Sequence, residues 1–455
     1  MLLIEHGYLI DPKTNTEGRM DVLICKDRIG KIAEHEQMQD YLKAYVPDGE
    51  TVERINASEC IVAPGLVDVH VHFRDPGFTY KEDIASGAQA AAAGGFTTVV
   101  LMANTKPVVD NIETLHYVLE KGKQTGIRVE TCAAVTVGLQ GQQTVDFEGL
   151  RSEGAAGFTD DGIPLMEESL VREAMERTAA LQVPISFHEE DKSYITNNGI
   201  NEGKASAYYG IGGSPREAEI SLVERDLKLA LETGAIINIQ HISSKEAVEL
   251  VRQAKKEAAA KKAAGQGMEQ SLAGNSRVAQ IHAEATPHHI ALTEEAVIEK
   301  GTMAKMNPPL RTEEDRQAIL AGLKDGTIDL IATDHAPHST EEKARPLTEA
   351  PSGILGLETA LALCNEHLVQ SGVLTMSEML ARLTCNPADM YGLDAGYLKE
   401  GGPADLVVFC PAQEWTFAKA HSKSQNSPFL GQQLTGKVQT TICAGEPIYT
   451  ATDEV

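Results

Sequence analysis

No two of the seven cysteines (Cys25, Cys60, Cys132, Cys364, Cys385, Cys410 and Cys443) form a C-x-x-C pair. An odd, dispersed set of this kind reads as reduced thiols in a cytosolic protein, most of them small core residues. Basic residues are scarce: 40 Lys and Arg stand against 66 Asp and Glu, a net charge of -26. That argues against nucleic acid or an anionic membrane surface as the main partner, and an acidic ligand would need a local positive site. Long apolar runs are missing as well. The opening MLLIEHGYLIDPKTNTEG has no basic region followed by an apolar stretch, so it reads as a short strand and turn. Nothing further along is long enough to span a bilayer. No internal repeat stands out. What is present is an ordinary globular composition, 42% hydrophobic and 23% charged, in 455 residues. That length has room for one large domain and a smaller one.

The rhythm of the chain changes twice. Residues 1–64 alternate short apolar runs with turn residues, the pattern of small β-structure. From residue 65 strands alternate with helical patterns. Strands are expected at 66–73, 97–103, 127–135, 155–159, 183–188, 235–241, 278–285 and 328–334. Helical patterns lie between them, such as 82–94, closed by Gly94-Gly95, and 215–233, opened by Ser214-Pro215. Eight such units predict an α/β fold, a closed (β/α)8 barrel of the TIM type. From 395 the short β pattern returns, so 1–64 and 395–455 are expected to join as one small composite β-domain beside a catalytic barrel at 65–394. The segment 254–277 is rich in Ala and Lys, then polar, and reads as a solvated helix extension and loop.

Catalysis in such barrels sits at the C-terminal ends of the strands. In V-D-V-H-V-H-F-R-D-P-G (67–77), strand alternation puts His70, His72 and Arg74 on one face and Val69, Val71 and Phe73 on the other. Asn104 ends the second strand, Asp160 and Asp161 the fourth, His188 the fifth, His241 the sixth and Asp334 the eighth. Four histidines and two aspartates on one rim suit Zn²⁺ or a related divalent ion. They are too many for one tetrahedral zinc, but two ions roughly 3.5–4 Å apart would use them all.

H-V-H-F-R-D-P-G, G-F-T-D-D-G, the single histidines after strands five and six, K-M-N-P-P-L-R (305–311), A-T-D-H-A-P-H (332–338) and N-P-A-D-M-Y-G-L (386–393) resemble dihydroorotase, in its bacterial type I form within the amidohydrolase superfamily. The resemblance covers nearly the whole chain. It implies that His70, His72 and Asp334 hold one metal, that His188 and His241 hold the second, and that Asp161 bridges them, with Asp160 as its rival. Many relatives bridge with a carboxylated lysine at the end of strand four, but this chain has no lysine between Lys123 and Lys192.

The implied reaction opens the cyclic amide of dihydroorotate to N-carbamoyl-L-aspartate, reversibly, in pyrimidine biosynthesis. Two metals activate a shared water, and Asp334 is the general acid–base. Arg74 would grip the substrate carboxylate, with His72, Asn104, Asn307 and His338 as further contacts. Ser352 stands where the family usually has an aromatic, which leaves backbone contacts from Ser352 and Gly353. The segment 338–353 is either a cover over the site or an exposed connection. His288 and His289 are expected to pack or support and not to ligate. The resemblance further implies zinc, a cytoplasmic location, self-association and aspartate transcarbamoylase as a docking partner. The rival readings are an allantoinase or hydantoinase, and a non-catalytic scaffold for that transcarbamoylase.

Overall fold

The first strand–helix unit shows how the sequence builds the barrel. Leu66–Val71 is buried along its whole length, as a parallel strand covered on both faces requires. The helix Ile84–Ala93 follows, its first turn capped by the Asp83 carboxylate, which accepts from the Ser86 amide at 2.9 Å. Gly94 ends the helix, and Gly95, at φ +90°, turns the chain directly into the next strand, Phe96–Leu101. In this computed structural model, which describes residues 1–47, 50–264 and 278–452, the unit repeats through strands Arg128–Ala134, Gly157–Thr159, Pro184–Phe187, Ile236–Ile239, Gln280–Ala285 and Leu330–Ile331.

These eight strands pair in parallel in sequence order. A parallel bridge between Val71 and His335 joins last to first, where the His72 amide donates to the His335 carbonyl at 2.9 Å. The expected barrel is therefore present, and each of the eight strands overlaps its expected range, several of them, the first and the last included, ending short of it. The expected helices at 82–94 and 215–233 are Ile84–Ala93 and Glu217–Thr233. The Ala/Lys-rich stretch continues the helix Lys245–Ala263, while residues 265–277 lie outside the described residues.

The chain ends meet beside the barrel in a six-stranded sheet whose order is Glu446–Thr450, Gln433–Cys443, Leu406–Thr416, Ile61–Pro64, Tyr8–Asp11, Thr16–Arg19. Its seam is the antiparallel pairing of Leu406–Phe409 with Ile61–Pro64. A separate four-stranded sheet, Arg28–Ala33, Asp21–Cys25, Leu2–Glu5, Glu53–Asn56, carries the helix His35–Tyr45. One cysteine expectation is corrected at the seam. Cys60 and Cys410, 350 residues apart, are joined as a disulfide because the two paired strands set them side by side. The other five cysteines are free. The large apolar core lies among the barrel strands and helices, with Val71, Phe73, Phe96, Phe158 and Phe187 in one cluster. No helix among the described residues is long and apolar enough to cross a membrane.

Candidate active site

The end of the first barrel strand delivers two imidazoles in fixed orientations. His70 Nδ1 is 2.5 Å from Glu284 Oε1, and the carboxylate also accepts from the His241 amide at 3.2 Å and from Asn238 at 3.0 Å. This turns His70 Nε2 inward, to 3.4 Å from Asp161 and 3.5 Å from Asp334, where it is buried without a hydrogen-bond partner. His72 Nδ1 sits 3.0 Å from Asn104 Oδ1, which leaves its Nε2 3.0 Å from Asp334 Oδ1 and 3.5 Å from Asp161 Oδ2. From the next strands, His188 Nδ1 is 3.0 Å from His241 Nε2 and 3.5 Å from Asp161 Oδ1. Its Nε2 faces Glu190 at 3.0 Å and the Asn307 amide at 3.1 Å.

Asp161 lies in the middle. One carboxylate oxygen faces His70 and His188, while the other faces His72 and accepts from Asn104 Nδ2 at 2.9 Å. Among the described residues, two donor clusters overlap here, His70–His72–Asp334 and His70–Asp161–His241, each with its donor atoms within 4.8 Å of one another. His188 adjoins the second through its short approach to His241.

These residues fit divalent metal. Ligands about 2.1 Å from a tetrahedral ion are roughly 3.4 Å from each other, and the separations above run from 3.0 to 3.5 Å. The electrostatics agree. Burial opposes a charge on Asp161, yet His72, His188 and His70 hold its carboxyl well below the usual range. Burial also opposes a charge on His188, yet Asp161 and Glu190 raise it to about 10. His241 goes the other way, driven well below its ordinary value by burial and by His188 and His70. The carboxylates thus demand positive charge while one imidazole refuses a proton, a conflict that a cation among them resolves.

Three non-glycine residues at this rim have left-handed backbone: Arg74 (φ 60°), His241 (φ 32°) and Asp334 (φ 47°). Strain of this kind gathers where a fold over-determines a site. It also corrects the expected strand row. The strand stops at Val71, two residues short of the expected end, and Arg74 reaches the cleft by a left-handed turn and not by strand alternation. Asp160 is turned away from the histidines. Its carboxylate accepts from the His188 amide at 2.9 Å and the Leu165 amide at 2.8 Å.

Above the clusters opens a cleft of about 400 Å³. His72, Arg74, Asn104, Asp161, His188, His241, Asn307, Asp334, His338, Ser352 and Gly353 all line it, and His70 lies buried beneath. His338 Nε2 is 2.8 Å from the Ser352 carbonyl, and burial with Arg74 and Lys81 nearby pushes the imidazole far below its ordinary pKa. Gly353 has φ +121°, and a Cβ there would come within 2.6 Å of the Ala336 Cβ. His288 and His289 stand outside both donor clusters, on the helix Pro287–Ala291, with His289 held between Thr286 and the Pro308 carbonyl.

Sequence reasoning missed Glu284, Asn198, Lys305 and Lys343. Glu284 had one signal, a carboxylate between alanines in the strand Gln280–Ala285. Asn198 lines the cleft and accepts from Ser352 Oγ at 3.2 Å, and nothing in its neighbourhood in the chain marks it.

A (β/α)8 barrel with histidines and aspartates converging at its strand ends defines a metal-dependent hydrolase of the amidohydrolase class. A family model described as Dihydro-orotase-like matches residues 59–247. A curated dihydroorotase of Clostridioides difficile (strain 630) is 50% identical over 451 residues, 99% of this chain and 100% of that protein. That of Clostridium acetobutylicum is 48% identical over 99% of each chain. The chain belongs to the dihydroorotase family. Among solved structures, the L-hydantoinase (dihydropyrimidinase) from Arthrobacter aurescens matches with a TM-score of 0.82 at 23% identity, over 100% of this chain and 97% of its own. A dihydropyrimidinase from Brevibacillus agri matches at 0.79 and 20%, over 98% of this chain and 94% of its own. Those likenesses show the fold.

Proposed function

We propose that this chain is a dihydroorotase, hydrolysing the cyclic amide of (S)-dihydroorotate to N-carbamoyl-L-aspartate, and closing it in reverse, in de novo pyrimidine (UMP) biosynthesis. The observation that carries the reading is Arg74. Its side chain opens on the cleft, makes one hydrogen bond, from Nε to the Pro337 carbonyl at 3.3 Å, and among the described residues has no carboxylate partner. A guanidinium left unpaired beside His72 and Asp334 is a receptor for a ligand's carboxylate, the group that distinguishes dihydroorotate from simple cyclic amides.

His70, His72 and Asp334 would hold one divalent ion and His188 and His241 the other, with Asp161 serving both sets; zinc, two per chain, would suit the nitrogen-rich donors. Ions bound there supply an acidified water and polarise the amide carbonyl. Asp334 takes the proton from the attacking water and returns it to the departing ring nitrogen. Asn104 and Asn307 hold the ring, and Arg74, His338 and the Ser352–Gly353 backbone hold the carboxylate. In this reading 1–64 and 395–455 form a β-domain flanking the barrel at 65–394. The protein works in the cytoplasm as a homo-oligomer, and aspartate transcarbamoylase is the partner to test.

The test is loss of dihydroorotate ring absorbance with the purified protein, before and after chelation and zinc return. Turnover abolished by chelator and restored by zinc supports the reading. A metal-loaded protein that opens hydantoin or allantoin but not dihydroorotate overturns it.

A further inference from the structure

Two lysines beside the cleft are buried, Lys305 at 3% and Lys343 at 4% exposure, and neither forms an ion pair among the described residues. In a chain with 66 acidic residues this is a costly arrangement. Their ammonium groups are spent on backbone carbonyls instead. Lys343 Nζ donates to Pro351 and Gly353, each at 3.0 Å, and reaches the Lys305 carbonyl at 3.5 Å. Lys305 Nζ donates to Leu347 at 2.8 Å and Ala350 at 2.7 Å. With His338 on the Ser352 carbonyl, every carbonyl from Ala350 to Gly353 is drawn by a side chain.

The Pro351–Ser352 peptide is not among the cis bonds, so its C=O and N–H point in opposite directions. The carbonyl faces buried Lys343. The Ser352 amide therefore faces away from it, and among the described residues it has no acceptor in the protein. We infer that Lys343, supported by Lys305, is a positioning residue that turns the Ser352 N–H into the cleft as a donor for the carboxylate of an anionic substrate. This rests on the function proposed above.

The test is Lys343→Met in the full chain. Losing one hydrogen bond to a charged group predicts a KM for dihydroorotate raised about tenfold or more, with kcat and bound metal nearly unchanged. Amide exchange across 347–353 should be faster than in the unsubstituted protein, because Gly353 N–H to the Lys305 carbonyl (2.9 Å) belongs to the same brace. An unchanged KM in a folded, metal-loaded variant overturns the inference, as does a fall in kcat with KM intact. If Lys343→Met does not fold, Lys305→Met must give the same KM split. If the unsubstituted protein does not turn over dihydroorotate, the functional reading fails, and the exchange comparison still decides whether the lysines hold the loop.

Discussion

Removing Arg74 isolates substrate recognition from metal binding. The guanidinium is desolvated, which lowers its pKa, while Asp334 and Asp161 pull the other way; it belongs to neither donor cluster. A planar fork on a carboxylate makes two charge-assisted hydrogen bonds, each worth about 1.5–3 kcal/mol. Taking the lower figure for both, Arg74→Ala loses about 3 kcal/mol, or more than a hundredfold in kcat/KM. Arg74→Lys keeps the charge but not the fork, so it should fall between the two. The assay is initial dihydroorotate hydrolysis across substrate concentration, alongside metal content measured on the same preparations. Retained metals with collapsed kcat/KM support the assignment. Metal loss in Arg74→Ala would show that the residue holds the cluster together, and near-normal kcat/KM would show that the carboxylate is bound elsewhere.

Glu284→Gln puts an amide against His70 Nδ1 and Asn238 Nδ2, two groups the carboxylate now accepts from, so chelator competition should report metal held about 10–100-fold more weakly; unchanged affinity would refute its orienting role. Burial, with Lys305 adding to it and Glu342 resisting, pushes Lys343 down to about 7, and burial pushes Lys305 down to about 8. The charged brace exists below those values, so KM should rise between about pH 6 and pH 9 in the unsubstituted protein and stay flat in Lys343→Met. Over the same window the unfolded lysines keep protons that the native ones have lost, so their contribution to stability rises with pH; a Tm that falls as KM rises would contradict the assignment. Because Asp161 carries its own negative charge, zinc should restore activity to the metal-free protein equally in carbonate-free and bicarbonate buffers. A bicarbonate requirement would mean that a carboxylated side chain is involved after all.

The barrel was legible because its signals are local. Strand alternation, the Gly94-Gly95 stop and the recurring strand–helix spacing all act within a few residues, and each strand lies within a few residues of its expected place. The histidines and aspartates that gather at the rim were legible for the same reason, since each lies at or just beyond the end of a strand. What was not legible depends on contacts far apart in sequence. Glu284 meets His70 across 214 residues, and Cys60 meets Cys410 across 350. Arg74 lines the cleft as the strand row would have it, but it arrives by a left-handed turn that alternation cannot foresee. Asp160 and Asp161 are neighbours with opposite orientations. Only the backbone amides of His188 and Leu165, which capture Asp160, separate the brace from the carboxylate between the histidines.

The charge of the chain then ceases to be a paradox. With a net charge of -26 the surface repels an anion at long range, but at physiological ionic strength that field decays over about 8 Å. Inside the cleft the balance reverses. Arg74 and Lys305 line it. Lys343 braces one wall, and Lys81 lies 3.3 Å from His338 Nδ1. Burial shields these cations from counterions and lowers the local dielectric, so they act on a bound carboxylate more strongly than many distant acidic groups act against it. The same burial accounts for their discomfort: Arg74, Lys81, Lys305 and Lys343 all have lowered pKa values, with desolvation as the largest cause. A bound carboxylate supplies the opposite charge that Arg74, Lys305 and Lys343 lack, while Lys81 already pairs with Glu342 at 3.0 Å. The cost of holding them charged in the free protein is thereby returned as affinity when an anion enters.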